Sequence, residues 1–184
     1  NLIILVDPYL SNSVQQLDSF DLKRMIDIPL KPEDLTYIDW VLITHDHMDH
    51  CDPHTIPKLA NASKNAKFIG PEPVRALLNK WGISEERVYS PPSIEKKIAD
   101  NISIMSAPAA HPKFKLGKDG MPLALGWLIR FDNKVFYIAG DTSLFDELIS
   151  FLKDQEMIDF GFLPVNEDNY FRRQRGIIGN MSIR

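Results

Sequence analysis

Val41-Leu42-Ile43-Thr44-His45-Asp46-His47-Met48-Asp49-His50-Cys51-Asp52-Pro53-His54 is the stretch whose reading decides the fold. It opens as an apolar run too short for a helix, the pattern of a strand buried on both faces. It then passes straight into four of the five histidines of the chain, His45, His47, His50 and His54, with Asp46 and Asp49 between them. Imidazole nitrogen and carboxylate oxygen are donors for zinc, manganese or iron. In extended backbone leaving a strand, His45 and His47 are two residues apart and turn their rings to the same side. Asp49 and His50 follow round the bend, placed for a second cation. His54 sits one position beyond a helix-starting proline and reads as a helix-terminal or supporting residue. Cys51 reads as a packed thiol, because a side chain adjacent to His50 points away from its neighbour's target.

Outward from this loop, the composition bounds the rest. A chain of 184 residues with 44% hydrophobic content suggests one domain, 1–184, with ample material for a core. A net charge of −4 gives no general attraction to nucleic acid or to an anionic membrane, so both are set aside as partners. The single cysteine rules out an intrachain disulfide framework and fits a reducing compartment, hence a cytoplasmic location. No run approaches the ~20 apolar residues of a membrane span, and no signal-peptide pattern is visible. The chain starts at Asn1 with a strand already under way, so what precedes it cannot be read.

Short apolar runs alternate with helical segments, which predicts a mixed α/β domain. Strands are expected at Leu2–Val6, Trp40–Ile43, Lys67–Ile69, Arg87–Tyr89, Ile102–Met105 and Phe160–Leu163. Leu125–Phe131 and Lys134–Ala139 read as a hairpin across Asp132-Asn133. Helices are expected from Asp52-Pro53 toward Ala60, over Pro73–Lys80 and over Thr142–Leu152. Each candidate ligand cluster falls just after a strand, where loops held by a rigid sheet converge. His111 follows Ala109-Ala110, and Asp141 lies in Ala139-Gly140-Asp141-Thr142, where it also reads as a helix N-cap.

Val6-Asp7-Pro8-Tyr9, Thr44–Asp52, Ala110-His111-Pro112, Ala139-Gly140-Asp141-Thr142, Arg175-Gly176 and Asn180-Met181-Ser182 together resemble the metallo-β-lactamase superfamily. Within it they are similar to the branch of L-ascorbate-6-phosphate lactonase and related metal-dependent hydrolases. The resemblance implies a four-layer αββα sandwich, incomplete at both ends and so part of a longer domain. It implies two divalent ions, Zn2+ or Mn2+. His45, His47 and His111 would hold the first, Asp49 and His50 the second, and Asp141 would bridge them. Asp7 would lie beneath the metal loop and support a ligand. The family carries a further histidine on a later strand, and here none follows His111, which leaves the second ion one ligand short.

Arg172, Arg173 and Arg175 form a local basic excess on an acidic protein. Arginine forks bind phosphate, and Tyr170 or Phe171 could stack on a ring. The competing reading is a solvated loop. With the lactonase likeness, the expectation is a hydrolase that opens a small phosphorylated lactone or similar ester. A metal-bridging hydroxide attacks, and Asp49 orients it and shuttles the proton. The substrate is then a small anionic molecule, and a homo-oligomer is compatible with this reading. A metal-dependent phosphodiesterase is the alternative, and a non-catalytic, metal-poor binding module is a third. Oxygen or nitric oxide reduction is disfavoured, because that branch has glutamate where His47 stands.

Overall fold

In the computed structural model, which describes residues 2–155, 157–166, 169–176 and 178–182, the chain divides into two compact units, Asn1–Ser90 and Pro91–Arg184. Each is built around a sheet of its own.

The sheet of the first unit is wholly parallel, in the order β1 (Ile4–Val6), β2 (Trp40–Leu42), β3 (Lys67–Ile69) and β4 (Val88–Tyr89). Parallel strands need crossovers, and helices α1 (Ile56–Ala62) and α2 (Glu72–Lys80) supply the last two. Val41 and Phe68 pack with Ile56, Leu59, Val74 and Leu78 into one buried cluster. No residue of β2 is more than 7% exposed, which explains why its sequence runs apolar without alternation. Helix α2 ends at Lys80, as expected, and Trp81-Gly82 follow it. Gly82 adopts φ +77°, and Ile83 donates back to the Leu78 carbonyl at 3.1 Å, a left-handed cap.

Helix α1 starts later than Asp52-Pro53 suggests. The Asp52 carboxylate accepts from the His54 amide at 2.9 Å and from the Thr55 hydroxyl, while its carbonyl accepts from Ile56 at 2.9 Å. These bonds close a turn over residues 53–55, and the regular helix begins only beyond it. Arg87, expected in a strand, instead ends a short 3-10 turn. Its guanidinium binds the carbonyls of Ala60, Ser63 and Ala66, capping the end of α1.

The second unit holds β5 (Lys96–Ala99), β6 (Ile102–Pro108), β7 (Leu125–Phe131), β8 (Lys134–Ile138) and β9 (Phe160–Phe162), adjacent in that order. The first four form an antiparallel meander, and β9 joins β8 in parallel after helix α3 (Asp146–Lys153). Leu128, Val135, Tyr137, Ala139, Leu148 and Met181 form its core. The hairpin appears where expected, with Asp132 in the left-handed region at φ +51°. Edge strand β5 gives little sequence signal because its first residues are Lys96-Lys97, exposed charges of the kind that blunt a sheet edge. Helix α3 starts at Asp146 rather than Thr142. Thr142 and Ser143 are bound instead to Ala110, as described below.

At the centre of this sheet, Gly126 leaves no room for a side chain: a Cβ there would lie 2.8 Å from the Ile138 carbonyl oxygen and 2.9 Å from that of Ala139. Backbone on β8 cannot yield without breaking its pairing. Gly126→Ala is expected to destabilise the protein by about 1–3 kcal/mol, read as a lower denaturant midpoint with an unchanged slope.

Candidate metal centre

The four strands of the first unit run parallel, so their carboxyl ends share one edge. Asp7 leaves β1 there, and residues 44–50 leave β2 beside it. Asp7 adopts φ +45°, a conformation aspartate tolerates better than most residues, and its amide donates to the Leu42 carbonyl at 3.0 Å. Its carboxylate then accepts three hydrogen bonds. Oδ1 takes the Thr44 amide at 2.8 Å. Oδ2 takes the Thr44 hydroxyl at 2.7 Å and Nδ1 of His50 at 2.7 Å.

These bonds settle which nitrogens carry protons. An ionised carboxylate only accepts, so Nδ1 of His50 bears the hydrogen. The Thr44 hydroxyl has one proton and gives it to Asp7, so toward His45, whose Nδ1 is 3.0 Å away, it accepts. His45 is therefore also protonated on Nδ1. In both rings Nε2 is the basic nitrogen, the one a metal binds.

The His45 ring lies 4.6 Å from that of His47 and 4.2 Å from that of His50, centre to centre. It offers a nitrogen within 4.8 Å of one on each of them. His45 is buried and His47 is exposed. The half-exposed Asp49 places Oδ2 3.7 Å from Nε2 of His50. His54 stays in the turn before α1 and joins no such group among the described residues. Cys51 is packed in the core cluster. Burial, then the charges of Asp7, Asp46 and Asp52, push its thiol well above the usual range, so it remains protonated.

In the second unit, β6 and β8 are each antiparallel to β7 and so parallel to one another. His111 follows β6 and Asp141 follows β8 at the same end. Thr142 ties the two loops together. Its hydroxyl accepts from the Ala110 amide at 2.9 Å and donates to the Ser143 carbonyl at 2.9 Å, while the Ser143 amide donates to Ala110 at 3.1 Å. Nε2 of His111 comes to 3.6 Å from Oδ2 of Asp141. Two donors each about 2.1 Å from one tetrahedral ion stand roughly 3.4 Å apart. The separations of 3.6 Å here and 3.7 Å between His50 and Asp49 are close to that spacing, and the donor types suit zinc or manganese.

Thr44 and Thr142 are the contributors that sequence reading passed over. Their signal was position alone: a threonine next to each candidate ligand at a strand end. The arginine segment forms a short helix, α4 (Tyr170–Gln174), started by Asn169, whose side chain accepts from the Arg172 amide at 3.1 Å. Tyr170 and Phe171 are exposed and meet edge to face at 5.7 Å, with Arg173 and Arg175 also exposed.

Residues 3–181 match the family described as the Beta-lactamase superfamily domain. A UPF0173 metal-dependent hydrolase of Pyrococcus abyssi is 30% identical over 165 residues, 88% of this chain and 64% of that protein. An N-acyl-phosphatidylethanolamine-hydrolyzing phospholipase D of Caenorhabditis elegans is 27% identical over 168 residues, 84% of this chain and 47% of that protein. Among solved structures, a metallo hydrolase of Ignicoccus hospitalis superposes with a TM-score of 0.61 at 24% identity, covering 90% of this chain and 64% of that one. The chain thus spans from about half to just under two thirds of the length of these relatives. The two sheets with their helices and the superposition agree on the metallo-β-lactamase fold. No helix among the described residues is long and apolar enough to cross a membrane.

Asp7 bonds His50 directly and reaches His45 through Thr44, and among the described residues it joins no group that could hold a metal ion. Asp7→Ala is expected to weaken divalent-ion binding by roughly 10–100-fold while the far-ultraviolet circular dichroism stays that of the wild type. Equilibrium dialysis against Zn2+ or Mn2+ is the measurement. Thr44→Val should weaken binding less, since it releases His45 but leaves the His50–Asp7 bond.

Proposed function

The chain belongs to the β-lactamase superfamily domain family, and we propose that it is a metal-dependent hydrolase with a two-ion centre. The observation that carries this reading is the Asp7–Thr44 network, which leaves Nε2 as the basic nitrogen of both His45 and His50. Nothing in packing alone requires that arrangement. The proposed assignment gives the first ion to His45, His47 and His111, the second to Asp49 and His50, and shares Asp141 between them. Two such ions would be zinc or manganese, and when bound they supply Lewis acidity and a water whose pKa is lowered toward ~7.

The residues of the chain do the rest. Asp49, half-exposed beside His50, accepts the proton of the attacking water and returns it to the leaving alkoxide as the ester C–O bond breaks. Arg172, Arg173 and Arg175, with Tyr170, bind the phosphate of the substrate. The substrate in this reading is a small phosphorylated lactone or similar ester, and the likeness to the lactonase branch supports it. A phosphodiester is the second reading. It is supported by the name of the nematode relative and by Leu17, Phe20, Met25, Ile26 and Leu30, exposed apolar side chains on the long segment after β1 that suit an amphiphilic substrate.

A panel of sugar lactone phosphates and phosphodiesters, including N-acylphosphatidylethanolamine, assayed with added Zn2+ or Mn2+ separates the two. His45→Ala and Asp141→Ala should each abolish turnover and lower bound metal while the protein stays folded. Near-normal turnover with full metal content in either variant would refute the assignment. Elemental analysis that finds no divalent ion after loading would instead favour a non-catalytic binding module.

The phosphate role has a test of its own. Loss of one charged hydrogen bond costs about 1.5–3 kcal/mol, so Arg172→Ala or Arg175→Ala should raise KM for a phosphorylated substrate roughly 10–100-fold with kcat little changed. Inorganic phosphate should inhibit competitively. Unchanged KM in both variants, with no inhibition, would remove the arginines from the site.

A further inference from the structure

Burial runs backwards on the segment that follows β1. Among residues 20–30 every residue is exposed except Arg24, which is partly buried. Phe20, Met25 and Ile26 are 75%, 94% and 72% exposed, so apolar groups stand in water while a charge is sheltered. The guanidinium is held in place. Nη1 donates to the Tyr9 carbonyl at 2.9 Å and more weakly to that of Ser11 at 3.5 Å, and the guanidinium carbon lies 4.6 Å from the centre of the Tyr9 ring. Among the described residues no carboxylate pairs with it. Nε is buried without a partner, whereas Nη2, also without one, is not shut off from solvent. Main-chain carbonyls thus fix the fork and leave its charge uncompensated.

Arg24 lines an open cavity of about 330 Å3, within the size range of small-molecule sites. The backbone around it is tied down. The Leu10 amide donates to the Thr55 hydroxyl at 2.9 Å, and the Gln16 and Ser19 amides donate to the Asn12 and Val14 carbonyls at 3.0 and 2.9 Å. Lys23 lines the cavity with Arg24, so two cations face the one anion there, Asp27, on a protein that is acidic as a whole. Ile26 and Ile28 add an apolar wall. A prepositioned guanidinium with free N–H groups recognises an oxyanion, and apolar side chains left in water beside it suit a hydrocarbon. We propose that this cavity binds the phosphate or carboxylate head of a small amphiphile, with Arg24 as the fixed donor and Ile26 and Ile28 against the chain. The site goes beyond the hydrolase reading, since binding there requires no metal.

The test is calorimetric titration of the metal-free protein with octyl phosphate below its micellar concentration, inorganic phosphate and octyltrimethylammonium. Arg172→Ala and Arg175→Ala are present throughout, so that anions held by α4 do not mask the cavity. Octyl phosphate is expected to bind at least roughly 10-fold more tightly than inorganic phosphate, and the ammonium should not compete with it. Arg24→Met should weaken both anions roughly 10–100-fold, and Arg24→Lys, which keeps the charge without the fork, should weaken them less. Asp27→Asn leaves every bond of Arg24 in place and should tighten both anions, which keeps the proposal testable even if Arg24→Met loosens the segment. Ile28→Ser should weaken octyl phosphate alone. Equal affinity for the two anions, lost together in Arg24→Met, would overturn the amphiphile and assign the cavity to a free phosphate. Anion binding unchanged in both Arg24→Met and Asp27→Asn, or an ammonium that binds as well as the phosphate, would overturn the site altogether. Neither result would touch the metal centre.

Discussion

The carboxylate of Asp7 is the constraint from which the first unit's chemistry follows. Its position is not free. Parallel pairing sets Val6 opposite Leu42, and the Asp7 amide continues the ladder to the Leu42 carbonyl at 3.0 Å. One residue further on β1 must therefore lie beside the start of the loop that leaves β2. A negative charge there, largely withdrawn from water, is tolerable only if its lone pairs are filled. Thr44 and His50 fill them with three bonds of 2.7–2.8 Å. The bonds that satisfy the charge are the ones that hold the imidazoles: His50 directly, and His45 through Thr44.

A short hydroxyl relay extends the effect to a residue Asp7 does not touch. Had Asp7 bonded His45 directly, it would have had to leave His50 or approach both rings at once. Thr44 lies between, gives its proton to the carboxylate and accepts from His45. Hydrogen bonds in such a chain polarise one another, so the network holds the rings more firmly than isolated pairs would. It also gives His45, only 2% exposed, a hydrogen-bond partner at Nδ1.

What the sequence discloses and what it hides divide along the range of the forces involved. Strand β2 and its histidine loop were legible because burial on both faces removes the polar alternation and because seven imidazoles and carboxylates in ten residues have few other uses. The β7–β8 hairpin was legible because the Asp132-Asn133 turn separates two apolar runs. The starts of α1 and α3 were not. At both places a side chain, Asp52 or Thr142, diverts backbone amides into a turn or toward a distant loop. Periodicity carries no trace of a bond between residues 32 apart such as that from Ala110 to Thr142. Asn180 stood in plain view within a motif, yet its burial could be seen only in the fold. The tautomers of His45 and His50 are likewise a property of the assembled network and of no single position.

Each unit solves the same problem with the same residue type. A metal ligand at the mouth of a sheet sits on a loop, and loops are the least constrained part of a fold. Something must transfer the rigidity of the strands to it. Thr44 and Thr142 are both fully buried, and both use the hydroxyl as donor and acceptor together: Asp7 and His45 in the first case, Ser143 and Ala110 in the second. Aspartate could not do this, since it only accepts, and lysine could not, since it only donates. Serine has the same hydroxyl but lacks the methyl group that fixes χ1 by packing and β-branching. Threonine combines a directed hydroxyl with a locked rotamer, and that combination couples the loops that carry His45 and Asp141 to their strand ends.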